Sequence, residues 1–169
     1  MYSYCLVCQS SHEKPIIASI QAITSCRVLS PTVIQRKWVK GKAIEVPHPY
    51  FPGYLFIYTD EKIEDFYRIR GILGVIRALG AETGQFELEG EDLKFARMLY
   101  GMDGIIGIQQ AVQEGDKVRL VNGLFADVVG KILWLDRKKG RAKVQFTFDN
   151  TVYTLWVGVD ILEAEPDEK

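Results

Sequence analysis

Cysteine and histidine are scarce in this chain of 169 residues, which has three of the first and two of the second. An odd cysteine count without a signal-like start fits a reducing cytosol and speaks against a disulfide framework. Cys5-x-x-Cys8 has half of a zinc-site spacing, but no second Cys or His pair follows, and strand alternation sends the two thiols to opposite faces. They read as buried strand cysteines. No apolar run approaches the ~20 residues that span a bilayer, so a soluble, cytoplasmic chain is expected. Charge of one sign is also lacking. A formal net charge of −1 argues against a protein that coats nucleic acid through bulk positive charge, though not against one with a local basic patch. His12 and His48 lie near no nucleophile or metal-ligand pattern, and the glycines between 101 and 107 precede no Lys-Ser/Thr of a phosphate loop. Catalysis, a cofactor and a metal are therefore not expected.

What is present is ordinary globular material, 47% hydrophobic and 25% charged, enough for a domain of about a hundred residues and a module of about fifty. Tyr2 to Cys8 alternates as a strand, with Tyr4, Leu6 and Cys8 on one face. Ser10-x-x-Glu13 has the form of a capping box, and Ile16, Ile17, Ile20 and Ile23 follow at helical spacing to about Ser25. A β-rich stretch comes next, Val28 to Ile34 and Ala43 to Tyr58, interrupted by a basic loop containing Arg36, Lys37, Lys40 and Lys42. A second helix is expected from Glu61 to Arg70, burying Ile63, Phe66 and Tyr67. A short strand, Val75 to Leu79, and a third helix, Gly90 to Tyr100, complete this half. The acids Glu87, Glu89, Glu91 and Asp92 suit a solvated loop and a helix start. The order predicts an α+β fold with an antiparallel sheet and helices on one face. Residues 102–113 read as a linker. Beyond them, short alternating strands and glycine turns predict a small β-barrel over 114–165, with 166–169 as a tail.

Two segments carry the most specific information. Tyr50-Phe51-Pro52-Gly53-Tyr54-Leu55-Phe56 packs aromatics around a Pro-Gly turn, and Tyr50, Phe51 and Tyr54 cannot all point inward across it, which suggests a docking patch. Gly115-Asp-x-Val-Arg119 runs toward Gly123-x-Phe-Ala-Asp127-x-x-Gly130-Lys131. With Tyr4-Cys-Leu-Val-Cys8 and Ile72-Leu-Gly-Val75, in this order, these segments resemble the NusG family of transcription elongation factors. The resemblance implies an N-terminal NGN domain over 1–101, ferredoxin-like, followed by a KOW domain with an SH3-like barrel. It also implies that Tyr4, Ile20, Tyr50, Phe51 and Tyr54 grip the clamp helices of the largest RNA polymerase subunit, with the chain a monomer.

Departures from the housekeeping pattern shape the expectation for the barrel. Gly71 and Ile72 stand where some members carry polar residues that touch DNA. Phe148-Asp-Asn-Thr151 stands where an apolar loop meets ribosomal protein S10 or Rho, so both contacts are expected to be weak. Lys131, Arg137, Lys138, Lys139, Arg141 and Lys143 crowd a stretch containing one acid, Asp136. Such a hairpin tip is either a solubility device or a contact for RNA phosphates. Trp134 and Trp156 are expected in the core, with stacking on RNA the alternative. The departures are similar to those of a specialised paralog, such as a LoaP-like antiterminator that binds a hairpin in the leader transcript. The Leu55-Phe-Ile-Tyr58 ending resembles the RfaH-like paralogs, but a helical form of the barrel is not expected from a segment so rich in valine.

Overall fold

Strands that are apolar at nearly every position must be covered on both sides, and two strands near the start of this chain have that character. The structure, a computed structural model, describes residues 1–121 and 123–162. The expected tail at 166–169 lies outside the described residues. The elements are β1 (Tyr2–Cys8), α1 (Glu13–Ile23), β2 (Arg27–Leu29), β3 (Thr32–Val39), β4 (Lys42–Pro49), β5 (Tyr54–Thr59), α2 (Tyr67–Arg70) and β6 (Val75–Ala78). They continue with α3 (Gly90–Gly101), β7 (Ile105–Ile106), β8 (Gln109–Glu114), β9 (Lys117–Val121), β10 (Lys131–Asp136), β11 (Arg141–Phe148) and β12 (Thr151–Leu162). Two compact units result. One holds Met1–Thr32 and Pro49–Gly104; the other holds Val33–His48 and the chain from Ile105 onward. In place of one break near residue 101, the hairpin of β3 and β4 groups with the C-terminal strands.

In the first unit the sheet order is β2-β5-β1-β6, with antiparallel register such as Tyr4↔Ile57 and Leu6↔Leu55. Tyr4, Leu6, Cys8, Leu55 and Ile57 form one core with Ile16 and Ile20 of α1 and with Phe66 and Ile69. The opposite face is covered by α3: Phe56 meets Phe95 at 5.7 Å, and the Tyr58 hydroxyl donates to the Ala96 carbonyl at 2.6 Å. The expectation of helices on one face is thus corrected. Cys5, Phe56 and Tyr58 are as buried as their neighbours on the other side, so both faces of β1 and β5 require cover.

The helix starts also differ from expectation. No side-chain cap precedes α1; the Glu13 carboxylate instead accepts the Gly53 amide at 2.7 Å, a partner far away in sequence. The second helix is only four residues long. The Ile63 amide donates to the Tyr4 hydroxyl at 2.9 Å and the Glu61 amide to Thr59 Oγ1 at 3.2 Å, drawing both donors away from a helical ladder. Asp65 then accepts the Tyr67 amide at 2.8 Å. Tyr67 is 76% exposed, not buried as its spacing implied.

In the second unit a curled five-stranded sheet runs β10-β11-β12-β8-β9. The stretch read as linker supplies β8, parallel to β12 from Val159↔Gln109 to Leu162↔Val112. Its polar composition concealed a strand that buries only Gln109 and Ala111. Phe125, Val144, Phe146, Phe148, Leu155 and Val157 fill the core. A smaller sheet, β4-β3-β7, includes a hairpin turned by Lys40 (φ 49°) and Gly41 (φ 77°), the left-handed pair of a two-residue turn.

Candidate functional site

The aromatic segment folds as a type II turn, with Pro52 at its second position and Gly53 (φ +84°) at its third. The Tyr54 amide donates to the Phe51 carbonyl at 3.0 Å and the Cys8 amide to the Gly53 carbonyl at 2.7 Å. Any side chain at Gly53 would place its Cβ 2.7 Å from the Cys8 carbonyl oxygen, so the turn lies tight against β1. Phe51, itself held at φ 59°, packs on Tyr50 at 4.8 Å, Tyr54 at 5.2 Å and Phe95 at 5.7 Å. The five expected docking residues are therefore divided. Tyr50, Phe51 and Tyr54 cluster beside α3, whereas Tyr4 and Ile20 lie in the core across the sheet. Tyr4, Ile20 and Phe51 are buried; Tyr50 and Tyr54 are half-buried and Pro52 is exposed. The accessible surface is narrower than the sequence suggested, with Phe51 supporting it from below.

Burial also sets the acid–base character of this unit. It pushes the Cys8 thiol up to about 11, with the Glu13 charge adding to the effect. The Tyr58 phenol is likewise raised by burial, and both groups stay neutral at physiological pH.

On the barrel, a bulge decides which side chains face outward. Register passes from Ile132↔Val144 to Trp134↔Lys143, so one extra residue reverses the facing of the rest of the strand. Without it Trp134 would oppose buried Ala142; with it, Trp134 is 64% exposed. Lys143 opposes Trp156 on its other side, giving a row of Trp134, Lys143 and Trp156 across one sheet face. The Arg141 guanidinium lies over the Trp156 ring at 4.4 Å and 3.4 Å from the Asp136 carboxylate. Of the six expected basic residues, Lys131, Lys143 and Arg141 lie along this face, and Arg137, Lys138 and Lys139 form the turn at its end. The core expectation for Trp134 is corrected, and Trp156 is half-buried under Arg141.

The family described as "Transcription termination factor nusG" matches residues 1–97, which include the whole aromatic turn and α3 up to Arg97. The chain belongs to the NusG family. The Thermus thermophilus transcription termination/antitermination protein NusG is 33% identical over 118 residues, 63% of this chain and 62% of that protein. The Pasteurella multocida NusG is 28% identical over 119 residues, 69% and 65% of the two chains. These alignments span less than two thirds of the relatives' own length. A solved structure, "Domain interaction in Thermotoga maritima NusG", aligns with a TM-score of 0.56 at 19% identity, covering 93% of both chains.

Within this NusG-family chain, the turn expected to lack an apolar docking loop is a two-residue hairpin. Asp149 (φ 48°) and Asn150 (φ 55°) supply its left-handed pair, and Phe148 is fully buried. Sequence reasoning missed another surface. Tyr67, Leu73 and Ile76 are 76%, 96% and 62% exposed, and Tyr67 lines a cleft with Ile23 and Ile72. Leu73 sits at a tight turn closed by the Val75 amide on the Ile72 carbonyl at 3.1 Å. Among the described residues no cluster of His, Cys, Asp and Glu could hold a metal, and no helix is long and apolar enough to cross a membrane.

Proposed function

We propose that this chain is a transcription elongation factor of the antiterminator type. Its first unit grips the clamp helices of RNA polymerase through the Tyr50–Tyr54 turn, and its barrel engages RNA. The observation that carries the reading is the rigid aromatic turn itself, fixed by Gly53, Glu13 and Phe95 inside the family-matched region. A preformed apolar ledge loses little entropy on binding an amphipathic helix. Bridging the polymerase cleft would shift its population toward closed, processive states without any bond chemistry.

The buried Phe148 and its Asp149–Asn150 turn favour a barrel with little affinity for ribosomal protein S10 or Rho. The Trp134–Lys143–Trp156 row favours RNA, with stacking faces and a cation side by side. Both features suit a specialised paralog, LoaP-like in its use of a leader transcript, better than a general housekeeping factor.

Binding to core polymerase tests the docking half. Tyr54→Ala removes exposed ring surface without emptying the core and should weaken binding about thirtyfold, the effect of a central anchor. Leu73→Ser should leave it unchanged. The reverse pattern would transfer the polymerase face to the Tyr67–Ile76 surface.

A further inference from the structure

We infer that the β3–β4 hairpin and the Arg137–Gly140 turn of the same unit together form a binding cleft for single-stranded RNA, with Trp38 as its stacking face. This rests on the reading of the barrel as an RNA-binding surface and extends it to a segment far away in sequence.

The hairpin is fastened to the barrel by Arg36. Its Nη2 lies 2.7 Å from the Asp160 carboxylate, and Nη1 donates to the Val159 carbonyl at 3.2 Å. Gly140 makes this approach possible: at φ +57°, its missing Cβ would stand 2.8 Å from Arg36 Nη1. The two segments then enclose a cleft of about 360 Å³ lined by Arg36, Trp38, Arg137, Lys138 and Lys139, within the size range of a small-ligand pocket.

The chemistry of the lining identifies the ligand class. Asp160 is the one acid in the lining, and it is already paired with Arg36. Arg137 donates to the neutral Gln113 carboxamide and so keeps its charge. Lys138 and Lys139 have no ion-pair partner among the described residues. Trp38 is 55% exposed and lies two strand positions from Arg36, on the same face. In a chain with net charge −1 this is a locally positive groove with an open indole, and such grooves hold single strands by phosphate contact and base stacking. β10 and β11 lead from this turn to Trp134 and Lys143. Arg137 is three residue steps from Trp134, roughly 10 Å along an extended chain, so one strand of RNA can follow both surfaces.

The test uses the full chain and a labelled polyuridylate of roughly twelve nucleotides, a length in the range such sites cover, with affinity measured across a salt series. Trp38→Ala should weaken binding about tenfold and leave the salt slope unchanged. Trp38→Phe should retain most of the affinity, and Trp38→Leu should not. Lys138→Ala with Lys139→Ala should flatten the slope by about 1.4. Full affinity in Trp38→Ala and Trp38→Leu, with losses in Trp134→Ala and Lys143→Ala, would overturn the cleft and leave the RNA-binding barrel standing. No binding by the unaltered chain would overturn both. Equal affinity for deoxythymidylate of the same length, or displacement by oligoglutamate as effective as by RNA, would overturn the assignment to RNA.

Discussion

Gly53 occupies a position that tolerates no side chain. Its φ of +84° and the Cys8 carbonyl 2.7 Å from a hypothetical Cβ act together, so Gly53→Ala must both strain the backbone and displace β1. The left-handed conformation alone costs an L-residue roughly 1–2 kcal/mol, and the contact adds to it. A loss of about 2 kcal/mol or more is expected, measured as a lowered denaturation midpoint with unchanged slope. Cys8 offers a second test. Its folded thiol ionises at about 11 against an ordinary 9.0, so above pH 9 the unfolded chain releases this proton while the folded chain retains it. Because the unfolded state then binds fewer protons, stability falls as pH rises from about 9 to 11 and is unaffected by this group below that window. Denaturation measured against pH should show a shallower decline in Cys8→Ala than in the unaltered chain.

At the scale of single elements, the bulge in β10 determines the chemistry of the barrel face. If Trp134 faces solvent, Trp134→Ala should change stability by no more than about 0.5 kcal/mol. Phe146→Ala, in the core two positions beyond Val144, should cost about 3–5 kcal/mol. Equal large costs would mean that the strand runs straight and Trp134 is internal. The sequence could not reveal this, because alternation counted along β10 places Trp134 with the core and a bulge leaves no compositional trace. The same limit applied to Tyr67. Helical spacing assigned it to a buried stripe, but the Tyr4 hydroxyl captures the Ile63 amide and the helix begins only at Tyr67. By contrast, β1 and β11 were legible, since each alternates without interruption. The helices α1 and α3 were legible in extent but not in facing. α1 buries Ile16 and Ile20 and leaves Ile23 exposed, and α3 buries Phe95, Ala96, Met98 and Leu99 where spacing pointed to Leu93, Arg97 and Tyr100. The Pro52-Gly53 turn was legible for a different reason: proline pre-sets the second position of a type II turn and glycine supplies the positive φ of its third.

For the whole molecule, a linear domain boundary was the natural reading because the composition changes after Gly101. Only the fold brings Arg36 to Val159 and Asp160, more than a hundred residues away in sequence, and so unites two basic stretches that seemed unrelated. The docking residues followed the opposite course. Tyr4 and Ile20 lie in the core across the sheet, Phe51 is buried beneath the turn, and Tyr50, Pro52 and Tyr54 keep the accessible surface. Hydroxyl-radical footprinting of the full chain with and without RNA polymerase tests that assignment most directly. Tyr50 and Tyr54 should lose reactivity in the complex while the exposed Tyr67 keeps it. Protection of Tyr67 with Tyr50 and Tyr54 unchanged would contradict the assignment.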